Sequence, residues 1–215
     1  MNPGELLALV LACAPNVAPS TIQSIIDVES RGRVYAIGVN RAAQLRRQPT
    51  TRAQAVDSAR RLLASGANFD AGLMQINSVN WPRLGLTPET VFDPCTNIRA
   101  GAQILTENYK RASAIDGPGT VALRKALSAY NTGSMSRGFR NGYVGKVERS
   151  AMKLAGLPLP ALSPSLTPAH ITAPASGRPM GVAPAAAWSA PVAWGMASLP
   201  TTSTAAPAWP KETTE

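Results

Sequence analysis

The chain has 215 residues, two cysteines, one histidine and a formal net charge of +9. Its length fits one ordinary domain or two very small ones. Cys13 and Cys95 are far apart, and the single histidine, His170, is distant from both, which excludes a zinc site. No stretch approaches the roughly 18 apolar residues of a membrane span. The sequence therefore predicts no metal, no cofactor and no transmembrane segment.

The composition changes at position 157. From there onward the chain carries eleven of its nineteen prolines, much Ala, Ser and Thr, and few charges. Such a segment buries too little apolar surface to offset the entropy lost on ordering. We predict one folded domain over residues 1–156 and a disordered tail over residues 157–215. Three of the four tryptophans lie in this tail, which suits a spacer or short docking segments for a protein partner: Trp188, Trp194 and Trp209.

The positive charge belongs to the predicted domain. All but two of the 21 Lys and Arg, and all but two of the 12 Asp and Glu, precede position 157. A basic domain attracts nucleic acid, anionic lipid or anionic cell-wall polymer, although a solvated basic surface has the same composition. The basic residues are scattered, without interleaved aromatics or a nucleic-acid-binding module. We therefore expect no nucleic-acid partner.

Residues 6–14 form an apolar run near the start of the chain. They make a poor signal peptide, because Glu5 precedes them and no Lys or Arg does. A lipoprotein signal ending at Cys13 lacks the same basic start. We expect these residues to form a buried first helix, so the export route is not predicted from this segment.

Apolar residues recur at helical spacing in several further segments, and no run alternates as a strand does. One begins at Pro19, with Ser20 or Thr21 as the predicted N-cap. Another spans about residues 51–65, with Gly66 as its C-cap. Short helices joined by loops marked with Gly and Pro indicate a compact all-helical or α+β domain. Three later helices are expected to begin near these residues: Asn97, Thr120 and Val144.

A carboxyl group interrupts the apolar face of the helix after Pro19. At about 100° per residue, with Ile22 at 0°, Ile26 falls at about 40° and Glu29 at about 340°. Burial and the negative helix end both raise the pKa of such a carboxyl. A carboxylic acid that keeps its proton near neutral pH suits general acid catalysis. Two other interpretations give Glu29 no catalytic role. In one it forms a buried ion pair with Arg31 or Arg33, and in the other it lies at the helix end and its side chain reaches solvent.

Two later segments supply groups that suit a sugar polymer. Residues 72–77 read Gly-Leu-Met-Gln-Ile-Asn, and residues 129–133 read Ala-Tyr-Asn-Thr-Gly. Amides and tyrosine hydroxyls pair with sugar hydroxyls and N-acetyl groups, and aromatic faces pack on the apolar sides of sugar rings.

With these segments the sequence resembles the lytic transglycosylases of the lysozyme-like superfamily, which carry Glu-Ser, Gly-Leu-Met-Gln and Ala-Tyr-Asn in that order. Here they are Glu29-Ser30, residues 72–75 and residues 129–131. The resemblance covers the predicted domain and none of the tail. It implies a mainly α, lysozyme-like fold, the catalytic domain of a soluble lytic transglycosylase.

The resemblance is closest to the subgroup associated with conjugative and type IV secretion systems. That subgroup shares the Cys-Ala-Pro-Asn-Val-Ala-Pro, Tyr-Ala-Ile-Gly-Val-Asn and Pro-Cys-x-Asn-x-Arg-Ala-Gly segments. It implies a periplasmic enzyme that opens peptidoglycan locally for a secretion apparatus, and it favours a disulfide between Cys13 and Cys95 over two buried thiols. One departure concerns the loop after Glu29, where Gly32 and Val34 replace the usual Phe and Pro and predict a looser, more basic loop.

The resemblance also implies a mechanism that needs one carboxyl. Glu29 would protonate the bond between N-acetylmuramic acid and N-acetylglucosamine, then take the proton of the 6-hydroxyl that closes a 1,6-anhydro ring. This fits the sequence, in which Asp27 points away from the Glu29 face and Asp70 has no motif to recommend it. Five further residues are expected to orient Glu29, bind the glycan or form the apolar wall of the site: Ser30, Met74, Gln75, Tyr130 and Asn131.

Two other functions remain compatible with the sequence. A hydrolytic muramidase would use the same acid and release reducing ends, whereas ordinary glycosidases use two carboxylates. A non-catalytic wall-binding assembly component would bind glycan in the same groove and partner proteins through the tail. A pure binder, however, gains nothing from a carboxyl in an apolar stripe.

Overall fold

A computed structural model describes residues 2–40 and 44–156. The predicted tail, residues 157–215, lies outside the described residues, and its disorder stays a prediction. The described part is mainly helical with one small sheet, as the fold prediction required. None of its helices is long and apolar enough to cross a membrane. The helices are α1 (Pro3–Cys13), α2 (Pro19–Ser30), α3 (Arg52–Ala64), α4 (Trp81–Leu84), α5 (Pro94–Asp116), α6 (Thr120–Thr132), α7 (Arg137–Arg140) and α8 (Tyr143–Leu154).

The N-cap of α2 and the first residue of α5 differ from the predicted ones. α2 begins at Pro19 with Ala18 as its N-cap, so the predicted caps Ser20 and Thr21 are wrong. α5 begins at Pro94, about one turn before its predicted start. In both helices a proline occupies the first position, where its missing N–H is not needed and its fixed φ suits the helix. Proline was therefore the better marker of both helix starts.

The first helix forms, but the prediction that it is buried is only partly right. Val10 and Cys13 are the buried residues of α1. Leu7 and Leu11 are 40% and 52% exposed. Residues spaced three or four apart share one helix face, so α1 packs a narrow stripe against α2 and α5, to which Leu6 and Leu9 add partly buried side chains.

The prediction that Cys13 and Cys95 form a disulfide is confirmed. Their sulfur atoms are bonded, and the bond joins the last residue of α1 to the first turn of α5. Since α1 buries few side chains of its own, this bond is a principal anchor of the N-terminal helix.

A three-stranded antiparallel sheet was not predicted. Its strands are β1 (Ile37–Val39), β2 (Phe69–Ala71) and β3 (Ile76–Asn77), in the order β1-β2-β3. Strands of two or three residues are too short to show a period of two. Their alternation is nevertheless real, because Phe69 and Ala71 are buried while Asp70 between them is half-buried. The sheet thus turns Asp70 away from the core.

The outer edge of β1 pairs with side chains in place of a fourth strand. The amide group of Gln48 accepts a hydrogen bond from the N–H of Ile37 and donates one to its carbonyl, at 2.9 and 2.8 Å. Gln44 does the same for Val39. Two glutamines therefore satisfy the backbone groups that an edge strand otherwise leaves open.

Candidate active site

A groove of about 390 Å³ lies between the sheet and the helices α2, α4, α5 and α6. Its volume falls in the range of roughly 300–1,000 Å³ that is usual for ligand sites. Polar side chains dominate its lining, as expected for a sugar ligand. The groove is lined by Glu29, Asn40, Asp70, Gln75, Ile76, Asn77, Asn80, Arg83, Ile104, Asn108, Arg111, Ala129, Tyr130, Asn131, Thr132 and Gly133.

Glu29 enters the groove from the last turn of α2 and is half-buried. Its Oε1 accepts a hydrogen bond of 2.6 Å from the hydroxyl of Tyr143 on α8. The alternative of an ion pair with Arg31 or Arg33 is wrong, because the Arg33 Nε donates instead to the carbonyl of Ser30 and no salt bridge of the described residues includes Glu29. Glu29 thus has a hydroxyl partner and no cation.

The environment of Glu29 raises its pKa from 4.5 to about 7. Burial is the largest cause; the hydrogen bond from Tyr143 opposes it, and the nearby charge of Asp70 adds to it. A raised pKa lets Glu29 keep its proton closer to neutral pH than an ordinary glutamate does, which is the condition for general acid catalysis.

Two tyrosines beside Glu29 remain protonated. Burial and the charge of Glu29 raise the pKa values of Tyr130 and Tyr143 well above 10. The Tyr143 hydroxyl is therefore a permanent donor to Glu29, and the Tyr130 hydroxyl donates to the carbonyl of Met74 at 2.7 Å. Tyr143 was missed at the sequence level, where nothing but its place at the start of α8 marked it.

Asp70 is a second carboxyl in the groove, although no motif in the sequence recommended it. Its two oxygens accept hydrogen bonds of 2.8 Å from the side-chain amides of Asn40 and Asn77. Burial raises the pKa of Asp70, while these two hydrogen bonds lower it. Asn68 links the two asparagines, so the carboxylate is held in one orientation by a closed amide network. Asp27, as predicted, lies outside the groove lining, where Ser150 donates to it.

We predict that Asp70→Asn shifts the pH dependence of glycan cleavage. Removing the Asp70 charge lowers the pKa of Glu29, so the acid loses its proton at lower pH. In a plot of kcat/KM against pH, the descending limb, which is the fall of kcat/KM as the pH rises, is expected near pH 7 in the native chain. In the variant this limb moves toward lower pH. Asp27→Asn, a matched change outside the groove, should leave the limb unmoved. An unchanged limb in Asp70→Asn would show that the two carboxyls do not interact.

The turn between β2 and β3 is held by Asn97 in the first turn of α5. Its Nδ2 donates to the carbonyls of Ala71 and Val91, and its Oδ1 accepts from the N–H of Met74 at 2.8 Å. Gly72 has a φ of +82° and packs against the Asn97 side chain. A Cβ at position 72 would lie 2.2 Å from Asn97 Nδ2. The glycine of the Gly-Leu-Met-Gln segment is thus required by this close approach and by its backbone conformation.

We expect Asn97→Ala to lower the free energy of unfolding by about 3 kcal/mol, because three buried backbone groups lose their partner. Urea unfolding followed by circular dichroism measures the change. Asn16→Ala, in an exposed loop position, is the matched control and should cost far less. Equal losses in the two variants would contradict the assigned role of Asn97.

The predicted binding residues divide into two groups. Gln75, Tyr130 and Asn131 line the groove. Gln75 adopts φ 47°, and its Nε2 donates to the carbonyls of Ala36 and Gly72, which fixes the side chain at the groove floor. Ser30 and Met74 are buried and do not line it.

Ser30 and Met74 lie in the core beneath the groove and contact residues that form the site. The Ser30 hydroxyl donates to the carbonyl of Leu73 at 2.7 Å, which joins the end of α2 to the turn before β3. Met74 packs its sulfur against Gly101, and its carbonyl accepts from Tyr130. Both residues therefore position neighbours of Glu29, and direct substrate contact by either is not supported. The loop after Ser30 is closed by backbone hydrogen bonds of Arg33 and Ala36, with Gly32 in a left-handed conformation.

The family model described as the transglycosylase SLT domain matches residues 7–153. The chain belongs to this family. It is 42% identical over 142 residues to a Protein virB1 of Agrobacterium fabrum, 42% identical over 151 residues to a Type IV secretion system protein virB1 of Brucella abortus, and 46% identical over 143 residues to a Protein virB1 of Rhizobium radiobacter. These alignments cover 66%, 67% and 66% of this chain and 57%, 63% and 59% of the relatives. The chain therefore spans about six tenths of the length of these relatives. No solved structure matches it.

Proposed function

We propose that this SLT family member is a peptidoglycan lytic transglycosylase that cleaves the β-1,4 bond between N-acetylmuramic acid and N-acetylglucosamine. The observation that carries the proposal is Glu29, which lies in a polar groove with a pKa of about 7 and has no cationic partner among residues 2–40 and 44–156. Family membership supports the same reaction.

In the first step, the protonated carboxyl of Glu29 gives its proton to the glycosidic oxygen as the bond to the anomeric carbon breaks. The N-acetylglucosamine side leaves as an alcohol, and positive charge develops on the muramic-acid ring. The carboxylate of Asp70, which Asn40 and Asn77 orient through hydrogen bonds, stabilises that charge electrostatically. Tyr143 stabilises the Glu29 carboxylate that this step creates, since its hydroxyl is already a donor to Oε1.

In the second step, Glu29 takes the proton of the 6-hydroxyl of the same muramic-acid residue. The freed oxygen bonds to the anomeric carbon and closes the 1,6-anhydro ring, which returns Glu29 to its protonated form. Gln75, Tyr130 and Asn131 line the groove where the sugar must sit and are proposed to fix its orientation. Ser30 and Met74 are proposed to act through the neighbours that they position.

A hydrolytic muramidase is the second candidate, and Asp70 is the observation that favours it. A second carboxylate in the groove could accept the proton of an attacking water or stabilise a covalent intermediate, as in two-carboxylate glycosidases. The products separate the candidates: the soluble fragments released from purified sacculi are analysed by mass spectrometry. Anhydromuropeptides support the transglycosylase, and reducing ends support the muramidase. Binding of glycan without any release would favour the non-catalytic assembly component.

The biological setting is proposed from the relatives. All three are named virB1, and the one from Brucella abortus is named a type IV secretion system protein. We propose that this chain works in the periplasm and opens the wall locally for such an apparatus, with the tail available for contacts to its components. A disulfide between Cys13 and Cys95 fits an oxidising compartment.

A further inference from the structure

One wall of the groove carries two arginines. Arg83 on α4 and Arg111 on α5 both line it, next to Asn80 and Asn108. Neither arginine is among the groups that shift the pKa of Glu29 or Asp70. The two arginines thus lie on α4 and α5, whereas the two carboxyls of the groove lie on α2 and β2.

Arg83 is already neutralised by protein groups. Its Nη1 lies 2.8 Å from Glu107 Oε2, and its Nε donates to Asn80 Oδ1 at 3.2 Å. Gln103 donates to the other oxygen of Glu107 at 3.0 Å. The Arg83–Glu107 pair is thus a fixed part of the wall, with no net charge left for a ligand.

Arg111 differs from Arg83 because no carboxylate of the described residues pairs with it. Its Nη2 donates to Asn108 Oδ1, and its Nε and Nη1 make no hydrogen bond within the part of the chain that the structure describes. Asn108 is only 5% exposed, and it orients one end of the Arg111 guanidinium, which is otherwise exposed; its own amide nitrogen makes no hydrogen bond to the described residues. The guanidinium of Arg111 and the amide donor of Asn108 therefore line the groove together.

We propose that Arg111 and Asn108 bind a carboxylate on the peptide stem of the glycan strand. This inference rests on the proposed function, because it takes peptidoglycan as the occupant of the groove. The sugar backbone is uncharged where each lactyl carboxyl is joined to a stem through an amide bond, and the stems carry free carboxylates. A guanidinium with two open N–H donors and an adjacent amide donor matches a carboxylate better than a sugar hydroxyl. The site thereby distinguishes glycan with stems from glycan without them.

The test compares two kinds of glycan strand coupled to beads, one with intact stems and one stripped of stems by an amidase. Isolated strands are used because removing the stems also removes the cross-links that keep a sacculus insoluble. Full-length chains that carry Glu29→Gln, which prevents turnover, are sedimented with each. Adding Arg111→Gln should weaken binding to stem-bearing strands by about tenfold and leave binding to stripped strands unchanged. Lys110→Gln removes the same charge from an exposed neighbour on α5 that does not line the groove, and it should change neither. Arg111→Lys should recover only part of the loss.

Two results would overturn the inference. One is an equal loss on stem-bearing and stripped strands, which would mean that Arg111 contacts the glycan itself or the lactyl carboxylate exposed by stripping. The other is an equal loss from Arg111→Gln and Lys110→Gln, which would indicate general charge attraction. If the native chain released no fragments while the stem-dependent loss persisted, the proposed cleavage would fail and this inference would stand. Unchanged melting temperatures exclude misfolding of the variants.

Discussion

Glu29→Gln is expected to reduce release of soluble fragments from sacculi by about a thousandfold. The amide cannot give a proton to the glycosidic oxygen or take one from the 6-hydroxyl, so both proposed steps are lost. The substitution is close to isosteric, and the amide oxygen can still accept the hydrogen bond from Tyr143. Dye release from labelled sacculi measures the rate. Glu89→Gln, which removes an exposed carboxyl outside the groove, should leave it unchanged.

The same variant should be more stable than the native chain at high pH, which separates loss of chemistry from loss of fold. Because the folded state raises the pKa of Glu29 from 4.5 to about 7, the folded chain binds more protons than the unfolded chain between these values. Stability therefore falls as the pH rises through this window. Glu29→Gln removes that penalty, worth up to about 3 kcal/mol above pH 7, and changes little below pH 4.5. If the native chain and the variant had the same free energy of unfolding at pH 8 as well as at pH 4, the burial of an ionisable Glu29 would be contradicted.

Removing the disulfide is the second change with a large expected effect. Replacing both Cys13 and Cys95 with Ser releases a loop that spans 82 residues of sequence. The unfolded chain gains freedom, so the free energy of unfolding should fall by about 4 kcal/mol. α1 should loosen first, because only Val10 and Cys13 are buried on it. Urea unfolding measures the loss, and amide hydrogen exchange shows whether it begins in α1.

A reducing agent supplies the control for this prediction. Reduction of the native chain should reproduce the stability of the double serine variant, and the variant itself should not respond to the reagent. If reduction left the unfolding midpoint of the native chain unchanged, the bond would have no stabilising role. An effect of the expected size would also mean that the domain folds best in an oxidising compartment.

The helices and the acid could be predicted from local sequence. Helical phasing placed Glu29 on the face of Ile22 and Ile26, both of which are fully buried, and burial is the main cause of its raised pKa. Regular apolar spacing over three or four turns is a strong signal, which is why the long helices were found. Their starts were less certain, because a proline and a nearby Ser or Thr compete as markers of the same boundary.

The partners of Glu29 could not be predicted in this way. Tyr143 lies 114 residues later and reaches Glu29 only because α8 packs against α2. Asp70 lies in a strand of three residues, too short for an alternating pattern to reveal which face it occupies. Its position two residues before Gly72 was the one available signal. Ser30 and Met74 stand within the same motifs as Glu29 and Gln75, yet face inward, since a motif marks a segment and not the direction of each side chain.

The most direct test of the proposed chemistry is cleavage of sacculi in water enriched in heavy oxygen, followed by mass spectrometry of the fragments. If Glu29 activates the sugar's own 6-hydroxyl, the new muramic-acid ends are anhydro rings without the heavy isotope, each lighter than a reducing end by one water. If Asp70 or Glu29 activates water instead, the ends are reducing and carry the heavy oxygen. Unlabelled anhydro ends are the result we predict, and labelled reducing ends would contradict the account.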